Sequence, residues 1–290
     1  MSLFNPTIPA SDQIYVSLRD YAHFADARFH VEELWKRFEP FADTQFKREI
    51  AIQFHPRYWE MYLGCLILDA GLSIAPSREG RPDICGTLPS GRHFYIEAIA
   101  PGSGTSDDAV PEPESFAGTI PVDKIVLRIR SAIEKKFEAH GIYLEKNFVS
   151  TDDLYIIAVN PGIIRHTCIN FDPPLILQAL FPIGNLIDMF DRNDPSLRDV
   201  TYTTRWQIER KVGPAIRTDV FLDSSYCGLS AVLFSNAYAP TPPRPIGTEV
   251  ELVHNPQAVN RIDRGFLKMG SEYWLEGNRL RSQDWNIENR

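Results

Sequence analysis

Between residues 57 and 70, apolar side chains fill nearly every position: Tyr58, Trp59, Met61, Tyr62, Leu63, Cys65, Leu66, Ile67 and Leu68. A segment that is apolar on all sides predicts a central buried helix, with Gly71 as its stop. Upstream, Val31, Leu34, Trp35 and Phe38 recur at helical spacing, so residues 1–56 are expected to form a helical extension. Short β-type segments follow over 72–75, 83–88 and 93–100, with Pro89, Ser90 and Gly91 as turn residues between the last two. The helical period returns over 122–140 with Ile125, Ile129, Ala132, Ile133 and Phe137, and Gly141 reads as its end. A fully apolar strand occupies Leu154–Val159, which gives residues 57–160 the order helix, three strands, helix, strand. Further along, the pattern predicts a helix over 175–190, strands over 215–222, 229–236 and 249–254, and a hairpin over 272–282 turning at Glu276, Gly277 and Asn278. One α/β domain is expected, with a helical N-terminal and a mixed C-terminal elaboration (residues 161–290) around that core.

The 290 residues, 43% hydrophobic and 23% charged, suit a soluble globular chain. The longest apolar runs stop well short of the ~20 residues that span a bilayer, and no basic-then-apolar leader opens the sequence, so neither membrane insertion nor export is expected. Cys65, Cys85, Cys168 and Cys227 are too far apart for a zinc knuckle or a redox pair, which points to the reducing cytosol. A net charge of −8 argues against coating nucleic acid by global attraction. The charge is uneven, however. Asp107, Asp108, Glu112 and Glu114 crowd residues 102–121, a stretch without Lys or Arg and without apolar period, and this predicts a mobile acidic loop. Conversely, Arg205, Arg210, Lys211 and Arg217 surround Trp206, a combination that suits a phosphate backbone and a stacked base as well as it suits an exposed face.

Three acids stand where apolar surroundings make them costly: Glu60 in the apolar helix, Asp83 at the head of a strand, and Glu97 within a strand. Each has an ordinary explanation, since Glu60 could pair with Arg57, Asp83 could cap a turn after Pro82, and Glu97 could point outward from an edge strand. Strand alternation nevertheless puts His93, Tyr95, Glu97 and Ile99 on one face, where Asp83 of the neighbouring strand can meet Glu97.

Glu60 in the first helix, Pro82-Asp83 and Glu97-Ala98-Ile99, set 23 and 14 residues apart within that order of elements, resemble the PD-(D/E)XK nuclease superfamily. The resemblance covers residues 57–160 and implies a restriction-endonuclease-like core. It also implies hydrolysis of phosphodiester bonds, in DNA before RNA, with Mg²⁺ or Mn²⁺ held by Asp83 and Glu97 and with Glu60 as a third acid. The chain departs from the pattern at Ile99, which stands where the superfamily has lysine and can neither orient water nor stabilise negative charge. In some members the lysine comes from another element, and the second helix offers Lys124, Arg128 and Lys135 along one face. Lys124 is the expected catalytic cation, with Arg128, Lys135, Arg205 and Arg210 as nucleic-acid contacts; a solvated helix face is the competing explanation of the helical cations. Two other functional classes remain: a catalytically inactive nuclease-fold module that binds nucleic acid or a protein, and a small-molecule α/β enzyme using the acids otherwise. No Gly-rich phosphate loop, HExxH, GxSxG or EF-hand pattern is present.

Overall fold

The computed structural model describes residues 2–113, 118–190 and 198–288. Its N-terminal part is helical, as the period implies: α1 (Gln13–Asp20), α2 (Ala25–Phe38) and α3 (Phe46–Ile50) precede the long buried α4 (Phe54–Asp69). Asp12 ties the first and last of these together. Its Oδ1 accepts the Ile14 and Tyr15 amides at 2.8 and 3.3 Å to cap α1, while Oδ2 accepts the Phe54 amide at the start of α4 at 2.9 Å. Gly71, at φ +75°, then turns the chain out of α4 in a conformation that a Cβ would strain.

Three strands follow: β1 (Ser73–Ala75), β2 (Ile84–Thr87) and β3 (His93–Ile99). Helix α5 (Val122–Glu145) leads to β4 (Leu154–Val159), so the order of elements read from the pattern over 57–160 is the observed one. Helix α5 does not stop at Gly141. Ile142, Tyr143 and Leu144 carry it onward, and Tyr143 packs at the margin of the core.

Beyond β4 lie α6 (Leu175–Leu180), β5 (Ile183–Phe190), β6 (Arg198–Thr204), β7 (Gln207–Ile208), β8 (Ile216–Arg217), β9 (Ala231–Phe234), β10 (Glu251–His254), β11 (Ser271–Glu276), β12 (Arg279–Asp284) and α7 (Trp285–Glu288). The helix expected over 175–190 is thus only six residues long, because Pro182 drives Phe181 into the extended region and the chain continues as β5. The strand expected over 215–222 shrinks to β8. There Arg217 grips Asp219 at 2.6 and 2.9 Å, and the chain turns through a short 3₁₀ segment at Val220–Leu222. The C-terminal hairpin turns at Gly277 and Asn278 as expected, with Glu276 paired to Arg279.

Among the described residues, one mixed sheet runs β1-β2-β3-β4-β9-β10-β11-β12, with β3, β4 and β9 mutually parallel. Strand β4 shows how the alternation sorts the core. Leu154, Ile156 and Ala158 pack on the side of α1–α4, while Tyr155, Ile157 and Val159 pack on the side of α5 and α6. No helix among the described residues is long and apolar enough to cross a membrane.

Close packing on the α4 side depends on Gly86, which pairs with Phe94; a Cβ at 86 would collide with the fully buried Phe94 ring. Gly86→Ala is therefore expected to destabilise the fold by about 1–3 kcal/mol in urea unfolding, and an unchanged midpoint would contradict this packing.

Candidate active site

Ile84 pairs with Ile96 across β2 and β3, which sets Asp83, one residue before β2, opposite Glu97. The Asp83 carboxylate is pinned by the β3 backbone, since its Oδ2 accepts the Ala98 amide at 2.8 Å. Glu97 is 1% exposed. Both acids face α5, and the side chain that meets them is Lys136. Its ammonium donates to Asp83 Oδ2 at 3.3 Å and to Glu97 Oε2 in a short contact. Tyr143, from the turn of α5 beyond Gly141, donates its hydroxyl to Glu97 Oε1 at 2.7 Å. From β4, the Tyr155 hydroxyl donates to the Lys136 carbonyl at 3.1 Å and holds the helix over this point.

The charges of the cluster follow from its partners. Burial raises the Glu97 carboxyl pKa and repulsion from Asp83 raises it further, while Lys136 and Tyr143 oppose the rise. Burial alone would lower the Lys136 pKa, but the Asp83 and Glu97 carboxylates reverse that effect and raise it, keeping the ammonium protonated. Two acids and one ammonium thus share a partly dry space in which each depends on the others.

Lys124 does not stand here. Its ammonium donates to the Asp107 and Ala109 carbonyls at 3.4 and 3.0 Å, within the connection between β3 and α5. Helix α5 is about 36 Å long and β3 about 23 Å, so the start of the helix overhangs the sheet and Lys124 lies about 18 Å from Lys136 along the axis. Lys136 instead continues the buried stripe of Ile129, Ala132 and Ile133 at helical spacing. A lysine inside an apolar stripe was the sequence signal for the cation of this site.

Glu60 occupies the opposite side of the sheet, on α4. It is paired with Arg57 at 2.6 Å, and Arg57 also binds Asp43 at 3.3 Å and Glu49 in a short contact. Burial lifts its pKa to about 7; Arg57 pulls against the rise and Asp83 adds to it. Its coupling to the Asp83 cluster is electrostatic, with no hydrogen bond to Asp83, Glu97 or Lys136 among the described residues.

The four expected nucleic-acid contacts separate into two kinds. Arg205 is largely buried, ion-paired to Asp123 and donating to Gln178 Oε1 at 3.1 Å, so its guanidinium is committed inside the protein rather than presented to phosphate. Arg128 is committed too, donating to the Gly102 carbonyl at 2.8 Å. Lys135 is exposed, and Arg210 reaches Ser131 Oγ at 3.4 Å; both border a shallow cavity that Glu134 and Glu138 also line. The acidic connection expected to be mobile is tied down over residues 102–113. Val110 is buried in the core, Lys124 and Arg128 bind its carbonyls, and Asp108 accepts the Lys211 amide at 2.9 Å. Glu114 lies outside the described residues.

A divalent ion would find two carboxylates, Asp83 and Glu97, already converging on a cation, the Lys136 ammonium. Among the described residues, no three acid, histidine or cysteine side chains gather as a protein cage for a metal would require. A two-carboxylate donor set fits Mg²⁺, which is commonly held by one or two carboxylates with water and substrate phosphate in the other positions. Comparison of the chain with known protein families, with curated proteins and with solved structures gives no match, so the functional reading rests on this geometry.

Proposed function

We propose that this chain is a metal-dependent nuclease of restriction-endonuclease-like fold that hydrolyses phosphodiester bonds, in DNA by preference, and that its lysine has moved from the Ile99 position to Lys136 of α5. The observation that carries the reading is the Lys136 ammonium shared by Asp83 and Glu97, two acids placed across adjacent strands in the positions that the nuclease pattern assigns to them. Asp83 and Glu97 would hold Mg²⁺ or Mn²⁺, which when bound acidifies water and offsets charge on the phosphate. Lys136 supplies a protonated donor beside those acids, where a phosphoryl transition state accumulates negative charge. Tyr143 orients Glu97, and Ala98 orients Asp83 through its amide. Glu60, balanced by Arg57, adjusts the field at Asp83 from the far side of the sheet. The four widely separated cysteines, all thiols, suit a cytosolic setting.

A second reading has an observation of its own. Both Glu97 oxygens are already engaged, by Lys136 and Tyr143, and Lys136 already serves both acids as counter-ion, as a catalytically inactive nuclease-fold module would have it. Metal binding separates the two. Millimolar Mg²⁺ or Mn²⁺ is expected to raise the melting temperature by about a few degrees through linkage and to support cleavage of single- or double-stranded DNA; Asp83→Asn should abolish both effects. A wild-type melting curve indifferent to both ions, with no cleavage of DNA or RNA, would leave the inactive module as the better description.

A further inference from the structure

On the α5-facing side of the sheet, β1, β2 and β3 extend beyond the acid-lysine cluster and leave a cleft of about 250 Å³. Cys85 and Tyr95 form its floor; they pair across β2 and β3 and lie two residues from Asp83 and Glu97, respectively, so the cleft begins about 7 Å from the two acids. Arg78 and Arg81, from the connection between β1 and β2, line it, and His93 stands at its outer end. Arg81 is held in place. It lies over the Phe148 ring at 4.0 Å and donates to the Phe148 carbonyl at 3.2 Å. The Arg78 side chain is exposed and makes no hydrogen bond or ion pair among the described residues. Because Arg78 and Arg81 line a cleft whose floor starts two residues from Asp83 and Glu97, guanidinium and carboxylate groups stand in one neighbourhood.

We propose that this cleft binds a phosphate-bearing nucleotide of a single-stranded nucleic-acid segment, with Arg78 and Arg81 on the phosphate and Tyr95 and His93 offering ring faces to the base. The inference rests on the nuclease reading of the adjacent cluster and names the strand that would be presented to it. Guanidinium groups match phosphate in charge and geometry, and arginine beside aromatic rings is how single strands are held without sequence preference. A cleft of about 250 Å³ is on the scale of one nucleotide. Arg81, already oriented by Phe148, loses little freedom on binding.

The test is fluorescence anisotropy of a labelled single-stranded oligonucleotide over a salt series with chelator present, which reads binding without metal or cleavage. Each lost phosphate contact should flatten the dependence of log affinity on log salt by about 0.7, so Arg78→Gln and Arg81→Gln should each do so and the double variant should flatten it by about 1.4. Arg78→Gln is the safeguard against misfolding, because the side chain is exposed and without a partner among the described residues. Unchanged slopes in folded variants would overturn the cleft while leaving the nuclease reading to its own test at Lys136. Flattened slopes in a protein that cleaves nothing would sustain the cleft and sink the nuclease reading. Wild-type affinity for blunt duplex equal to that for single strand, or displacement of the oligonucleotide by equimolar inorganic phosphate, would also overturn the proposal.

Discussion

Lys136→Met is expected to reduce metal-dependent cleavage by about 10² to 10³, the usual effect of removing one preorganised donor to a charged transition state. Lys124→Ala should leave cleavage unchanged, because that ammonium serves the Asp107 and Ala109 carbonyls. The Lys136 substitution also has a stability cost. Glu97 and Asp83 would be left facing each other without their shared cation, and breaking such a pair typically costs about 3–5 kcal/mol, less here because Lys136 is 22% exposed and Asp83 30%. The sign with pH follows from Glu97, whose pKa is already raised by burial and by Asp83 and would rise further without Lys136. A raised carboxyl is tolerated while protonated and penalised as pH climbs through its folded pKa, so the variant should lose most stability on the alkaline side. Cleavage is therefore to be compared where urea unfolding shows both proteins folded. Lys136→Arg, which keeps the charge on a different geometry, should recover stability before activity. Full activity in folded Lys136→Met would remove Lys136 from the mechanism.

The acids of this site were legible in the sequence and its cation was not, for reasons visible in particular residues. Asp83 and Glu97 follow from strand alternation, which needs only a period of two and a short turn. Finding Lys136 required knowing how far α5 overhangs the sheet, and that depends on the connection between β3 and α5, whose length carries no such information. The lysines and arginine at 124, 128 and 135 form a visible charged face, whereas Lys136 lies within the apolar stripe and draws attention only when its charge is weighed as a buried cost. Tyr143 was hidden by Gly141, which reads as a helix stop but sits inside α5, where Tyr143 in the next turn packs against the core. Arg205 was legible as charge, but its burial against Asp123 and Gln178 is tertiary.

Glu251→Gln is expected to stabilise the protein at pH 8 and to do little near pH 4. Glu251 begins β10 and is paired in register with Phe234 of β9 and Ser271 of β11, so its backbone is fixed in the sheet whatever the side chain prefers. Its Oε2 is sealed from solvent with no hydrogen-bond partner among the described residues, and burial alone lifts its pKa to about 7. An unfolded glutamate titrates near pH ~4.3, so below that value both states are neutral and the burial penalty is absent. As pH rises toward 7, the unfolded chain gains the free energy of ionisation and the folded chain does not. The lost stability grows to on the order of 3 kcal/mol and then levels off. Glutamine has nearly the same shape and cannot ionise, so it should recover most of that loss above pH 7, offset by any cost of its own unpaired amide. Glu60, with a similarly raised pKa, should not behave this way: Glu60→Gln would leave the Arg57 guanidinium with one carboxylate fewer. Urea titrations of wild type, Glu251→Gln and Glu60→Gln at pH 4, 6 and 8 read the difference directly. A Glu251→Gln effect of equal size at all three values would mean that this carboxyl is solvated or paired in solution, and that the cost assigned to its burial is absent.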